Sequence, residues 1–285
     1  MLRCRPMRPA ATATAGIVLL TSCSPNVLVG IDPCSPDAVE CAGLVHRYSF
    51  DGVGTTVVDS TGTADGAVVG AALTGQGTLT LVGFTGDQAQ YVVLPHGLLR
   101  DLHDATFEAW INWAGSAAHD GTRTPWQRIF DFGEGITGVE GEQAAGSDAL
   151  SYLFLTPQTA RRTATEDLAT RVAYQVPHNP QSVFLETVVN TSPVAIDVDT
   201  HVGVVVDSRA RRMSLFVNGA IVGATDVVQD DPLSYIYDVN NWLGRSQFAA
   251  DEGFTGTFLE FRIYSVALTA AQVQASYDAG PDVIR

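Results

Sequence analysis

The sequence predicts an all-β chain folded as a two-sheet antiparallel sandwich with a short C-terminal helix. Short apolar runs recur between residues 44 and 264, with Gly, Asp, Asn and Pro between them. Many short strands joined by tight turns read this way. Within the series, Ser214-Leu215-Phe216-Val217 and Ala220-Ile221-Val222 flank Asn218-Gly219. That pair suits a two-residue type I′ turn, whose central residues both need positive φ, and so fixes a hairpin and its register. Near the end Thr269 is placed to cap a helix over Ala270–Ala279, stopped by Gly280-Pro281.

Taken in order, the strand candidates are 44–50, 66–73, 78–82, 90–94, 105–113, 128–132, 150–155, 171–175, 185–189, 200–207, 212–217, 220–224, 241–244 and 256–264. The helix sets Val273 and Tyr277 four residues apart on one face, which reads as a packing stripe. Segments 115–125 and 139–148 are rich in Gly and Ala without periodicity, and 177–182 holds two prolines. They read as loops on a rim of the sandwich, where ligand contacts are commonly carried, or as insertions without a role. Trp110, Trp113, Phe130, Phe132 and Trp242 fall in strand patterns and are assigned to the core. Trp126 stands at the end of a loop beside Pro125, and is the aromatic assigned to ligand binding, by stacking on a glycan.

A chain of 285 residues, 46% of them hydrophobic, can bury one large core. Only 16% of its residues are charged, and every basic one is Arg. The formal charge of -15 repels phosphate backbones and argues against nucleic acid as a partner. Divalent cations and neutral ligands stay open, beside the plain reading that acidity keeps the chain soluble.

Residues 1–22 carry Arg3, Arg5 and Arg8 and then the uncharged stretch 10–20. A basic region followed by a short apolar one directs export and is too short to span a bilayer. Leu20-Thr21-Ser22-Cys23 resembles the bacterial lipobox. The resemblance implies cleavage before Cys23 and lipidation of its thiol, with an ordinary secretory signal as the alternative. Several acyl chains on one cysteine would anchor the protein to a membrane, where one chain is marginal. Ser24 implies, by resemblance to the enterobacterial sorting rule, the outer membrane; a secreted or periplasmic protein is the alternative. Residues 23–43 read as the lipidated Cys and a proline-bearing tether. In an oxidising space Cys34 and Cys41 are expected to pair as a local disulfide, metal binding being the weaker alternative because structural zinc wants four closely spaced ligands.

The order of several motifs resembles the laminin-G-like jelly rolls of the concanavalin A-like lectin/glucanase group. Leu44-Val45-His46-Arg47-Tyr48-Ser49-Phe50-Asp51, followed by Val58-Asp59-Ser60-Thr61-Gly62 and Asp65-Gly66, is similar to that family's opening. Thr106-Phe107-Glu108-Ala109-Trp110-Ile111 and Arg128-Ile129-Phe130-Asp131-Phe132-Gly133 are similar to its central strands. His201-Val202-Gly203-Val204, the Asn218-Gly219 hairpin, Trp242-Leu243-Gly244-Arg245-Ser246 and Glu260-Phe261-Arg262-Ile263-Tyr264 complete the family order. The resemblance implies one jelly-roll domain over 44–285. It also implies a structural calcium ion, Ca2+, where the first and last strands meet, with Asp51, Asp59 and Glu260 as candidate metal ligands by position. Carboxylates suit that hard cation; alternatively Asp51 and Asp59 shape turns. The implied function is a lipid-anchored cell-envelope domain that binds a glycan or a protein through its rim loops without catalysis. The alternatives are a structural or adhesion component with no small ligand, and a glycan-cleaving enzyme.

Such an enzyme would need two carboxylates about 5 Å apart for retention, or farther apart for inversion. Glu108 stands alone in its strand, Glu260 is flanked by Leu259 and Phe261, and Asp197-Val198-Asp199 lacks a partnering Glu. The histidines are scattered without zinc-ligand spacing, and no serine sits in Gly-x-Ser-x-Gly. No catalytic residue is assigned.

Overall fold

The structure, a computed structural model, describes residues 43–83, 88–116, 126–135, 137–145, 149–160, 168–176 and 186–283. Cys23, Cys34 and Cys41 lie outside them, as do most of the 115–125 loop and all of 177–182. The described elements are β1 (Leu44–Tyr48), β2 (Val53–Gly54), β3 (Thr56–Val57), β4 (Gly66–Val69), β5 (Leu73–Thr74), β6 (Leu79–Val82), β7 (Tyr91–Leu94), β8 (Ala105–Trp113), β9 (Phe130–Gly135), β10 (Ala149–Thr156), β11 (Thr170–Gln175), β12 (Thr187–Thr191), β13 (Asp199–Asp207), β14 (Arg212–Val217), β15 (Ala220–Asp226), β16 (Asn240–Leu243), β17 (Thr255–Tyr264) and α1 (Ala270–Ala279).

Two antiparallel sheets form the sandwich. The front sheet runs β12-β11-β10-β9-β16-β7-β4-β3 and the back sheet β1-β17-β8-β13-β14-β15, with β6 also paired to β17. Strands β6 and β1 share one edge of β17, β6 against Thr255–Phe258 and β1 against Phe261–Tyr264. Residues of period two supply the core between the sheets. Phe107 and Phe261 come from the back and Phe130 and Phe132 from the front, with ring centroids 5.3 Å apart for Phe107–Phe130 and 6.1 Å for Phe132–Phe261. The same alternation turns Glu108, Trp110 and Asp131 toward the outer faces.

The predicted strands are found in their places with shifted ends. The expected strand 66–73 is two strands, because Gly70 at φ +70° breaks it and β5 leaves the front sheet to pair with β2. The strand expected at 128–132 starts instead at Phe130, since Arg128 is drawn away into side-chain pairing on the outer face. Strands β2 and β3, two residues each, are too short to leave an alternating signature.

Asn218 and Gly219 have φ of 49° and 75°, and Val217 pairs with Ala220, so the turn is of the predicted primed type. A Cβ on Gly219 would stand 2.8 Å from the Gln274 side chain as well as straining φ. Gly219→Ala is therefore expected to destabilise the domain by about 1 kcal/mol, measured as a lower urea midpoint at unchanged m-value.

Candidate functional site

On the outer face of the back sheet, Glu108 is fully buried beneath α1. Its Oε2 accepts from the Tyr264 hydroxyl at 2.9 Å and the Ser276 hydroxyl at 2.7 Å, and its Oε1 lies 3.1 Å from His201 Nε2. His201 Nδ1 accepts the Gly219 N–H at 3.3 Å, which assigns the ring proton to Nε2 as the donor to Glu108. Beside it Glu260 receives a fork from Arg47 at 2.7 and 3.2 Å, a bond from Arg262, and the Asp282 N–H. Burial pushes the Glu260 carboxyl up, but the Arg47 and Arg262 hydrogen bonds outweigh it and hold it below its ordinary value. The Arg262 guanidinium stacks 4.4 Å over Trp110. Both glutamates weighed for hydrolysis are 0% exposed, so their oxygens hold the helix and face no substrate. The helix stripe differs from its sequence reading for the same reason. Val273 is buried as expected, Tyr277 is partly exposed, and Ser276 turns inward because its hydroxyl serves Glu108.

The outer face of the front sheet is closed by a second charged hub. Arg128, also buried, donates to Asp131 at 3.0 Å, to Asp251 at 2.9 Å and to the Trp126 carbonyl at 2.6 Å, and lies 3.9 Å over the Phe154 ring. Asp131 also accepts the Gln247 N–H at 3.0 Å. Burial pushes its carboxyl up to about 7 against the pull of Arg128. Tyr152, Phe154 and Ala173 pack there with Ala144 and Phe248. Trp126 is half-buried against Phe154, with the Arg171 guanidinium 5.3 Å over its ring. The expected open platform is thus an element of the seal.

A cleft of about 480 Å³ remains open at the rim, between His96–Arg100, Gly138–Glu140 and Leu233–Val239. Its third wall is rigid. Leu233 and Ile236 are buried, Tyr174 donates to the Pro232 carbonyl at 2.9 Å, and the Tyr237 N–H reaches Ser151 Oγ at 3.0 Å. Asp238 accepts from the Leu99 N–H at 2.9 Å and the Asn241 amide at 3.1 Å. With its alternate residues anchored, the segment presents Tyr235 and Tyr237 outward, 47% and 52% exposed. His96 and Arg100 stand exposed on a turn anchored by buried Leu99. Glu140 is carried on a turn fixed by the Gly141 N–H to Asn240 at 2.7 Å. Of the cleft, the sequence marked only the loop carrying Glu140. The Tyr235-Ile236-Tyr237 alternation was the available signal for Tyr237, while nothing local marks Arg100.

Trp126 lies beyond the opposite end of β9 from Gly138 and does not join the cleft. The candidate calcium ligands do not fit that ion. Asp59 already accepts the N–H groups of Arg47, Gly62 and Ala64 and lies 2.7 Å from His46 Nδ1. Burial raises its carboxyl, yet the His46 bond and these amides bring it down to about 2; it shapes a turn, as the alternative reading had it. Glu260 is held by two arginines, and Asp51 accepts from Ser49 at 2.7 Å. Among the described residues no group of three or more His, Cys, Asp or Glu side chains is placed to hold a metal, and no helix is long and apolar enough to cross a membrane.

Residues 85–274 match the family model of the concanavalin A-like lectin/glucanases superfamily. The chain belongs to this family. No curated protein matches its sequence. Among solved structures the chain is similar to botulinum neurotoxin type C, whose cell entry depends upon interaction with two ganglioside molecules, at 13% identity and a TM-score of 0.54 over 83% of this chain and 51% of that one. It is also similar to the binding domain of botulinum neurotoxin DC, solved with rat synaptotagmin II, at 12% identity and a TM-score of 0.51 over 81% of this chain and 52% of that one. Domain 4 of an extracellular arabinanase from Geobacillus stearothermophilus, in complex with arabinotriose, gives 18% identity and a TM-score of 0.47 over 82% of this chain and 97% of that one. The two neurotoxin likenesses are of fold alone, in keeping with the jelly-roll sandwich that the sequence motifs implied.

The Asp131 hub makes stability pH-dependent. Unfolded, Asp131 loses its proton near the ordinary carboxylate value of 3.8; folded, it keeps it to about 7. Folding therefore takes up a proton between those values, and this group's contribution falls as pH rises through them. Denaturant titrations of the domain at about pH 5 and about pH 7 are expected to show a loss of stability that is smaller in Asp131→Asn.

Proposed function

We propose that this chain is a non-catalytic, lipid-anchored domain of the cell envelope that binds a glycan in the rim cleft. The observation that carries the reading is the cleft itself. A rigid segment presents the exposed ring of Tyr237 beside His96, Arg100 and Glu140. Sugars combine apolar C–H faces, which stack on aromatic rings, with hydroxyl groups that take directed hydrogen bonds from convergent polar side chains. Concave, partly polar and held by buried neighbours, the cleft suits such a ligand. The sealed outer faces support the same assignment, because they leave no exposed carboxylate pair at Glu108 and Glu260.

Anchoring is proposed on the lipobox-like Leu20-Thr21-Ser22-Cys23 and the export signal before it, with the outer membrane as the destination. A disulfide between Cys34 and Cys41 would then close a short loop in the tether.

Binding is tested with the soluble domain on a glycan array, followed by calorimetry on the hits. Tyr237→Ala is expected to weaken the best glycan about tenfold while leaving the melting temperature unchanged, because Tyr237 contributes its backbone, not its ring, to the anchoring. A domain that is folded and bound by no glycan would end this reading. Anchoring is tested by fractionation of the full chain: Cys23→Ser is expected to move the protein out of the membrane fraction and to abolish fatty-acid labelling.

A further inference from the structure

Almost every described arginine is committed to a partner within the fold. Arg47, Arg128, Arg171, Arg211, Arg212 and Arg262 each lie within 4.0 Å of a carboxylate oxygen. Arg245 is stacked between Tyr91 and Trp242, 4.4 and 4.3 Å from the two rings, and donates to Gln143 at 3.0 Å. In a chain of formal charge -15 such saturation is what the excess of acids over bases leads one to expect. Besides Arg245, which is held by its two rings and Gln143, the described arginines without a carboxylate within ion-pair distance are Arg100 and Arg209, and Arg100 lines the rim cleft.

The surroundings of Arg100 keep its guanidinium available. Asp238, the acid with the most fixed position in the cleft, is buried, and its Oδ2 is already engaged by the Leu99 N–H and the Asn241 amide. Glu140 is exposed and forms no ion pair with Arg100. His96 lies on the same turn and adds a ring nitrogen to the same wall. Leu99, the residue before Arg100, is wholly buried, so the turn that carries the guanidinium is fixed.

We propose that the cleft selects acidic sugars, with the Arg100 guanidinium binding the ligand's carboxylate, His96 supplying a further hydrogen bond and Tyr237 stacking on the sugar ring. The inference rests on the glycan-binding reading and narrows its ligand class. A planar guanidinium matches a carboxylate through two parallel N–H···O bonds, a geometry a neutral hydroxyl does not reproduce. The overall negative charge of the chain opposes anions at long range, so the selectivity must be local. It should disappear when this one side chain is removed.

The test uses an array on which uronic-acid and other carboxylate-bearing oligosaccharides are printed beside their methyl esters, which keep the shape and remove the charge. Matched acid and ester pairs are then titrated against the wild-type domain, Arg100→Ala, Arg100→Lys and Tyr237→Ala. The acid is expected to bind about tenfold tighter than its ester. That ratio should fall close to one in Arg100→Ala and be partly kept in Arg100→Lys, while Tyr237→Ala weakens acid and ester alike. Equal binding of acid and ester, or a ratio untouched by Arg100→Ala, overturns the inference and leaves the cleft as a site for neutral sugars if Tyr237→Ala still weakens them. A folded domain that binds neither form of any sugar overturns the glycan reading itself.

Discussion

The central strands of both sheets of this sandwich are buried on both faces, and on each sheet the outer burial is organised by ions. Glu108 and Glu260 hold α1 to the back sheet through His201, Tyr264, Ser276 and two arginines. Arg128, between Asp131 and Asp251, holds residues 244–251 and the Trp126 end of its loop to the front sheet. A sandwich needs only its inner faces for a core. The rest of the structure follows from closing the outer ones: the helix is fixed, the covering segments are fixed, and the open concavity is displaced to the rim. Each hub is a buried charge system whose parts depend on one another. Desolvation opposes it, and only the completeness of its hydrogen bonds offsets that opposition. Removing one member would leave the remaining charges buried without partners, which is why such hubs give conformational specificity more readily than net stability.

The two hubs differ in how completely they are satisfied. Each Glu108 oxygen has a partner, and Glu260 carries a lowered pKa because cations and an amide surround it. Asp131 has one oxygen without a hydrogen-bond partner and a carboxyl pushed up to about 7. The front face is thus the more strained of the two closures.

The fold was legible because it rests on short-range signals. Alternation places the inward phenylalanines, Asn218-Gly219 sets a hairpin, and Thr269 with Gln272 forms the capping box of α1. What escaped was long-range. Nothing near Glu108 in sequence announces that Ser276 will donate to it, 168 residues away. Nor does the Asp-Ser-Thr-Gly run at 59–62 reveal that its acid will be saturated by backbone N–H groups and His46 and so withdrawn from metal binding. Trp126 shows the same limit: a tryptophan at a loop end reads as exposed until Arg128 and Phe154 gather beneath it. The cleft is assembled from three segments that lie far apart in sequence, from His96 to Val239. Only one of them had a compositional mark.

The Arg47 fork also bears on mechanical load. Strand β1 is at the sheet edge and is the first described strand, so a pull on the chain before residue 43 reaches it before any other part of the sandwich. The backbone pairing of an edge strand can be peeled open one bond at a time. Arg47 crosses from β1 to Glu260 in β17 and to Asp282 after α1, and the Ser265 N–H holds the Gly43 carbonyl at the point where the pull enters. Force arriving at the start of β1 is therefore shared with its neighbour β17 and with the segment after α1, and a tug that would unzip a bare edge must here separate three elements together.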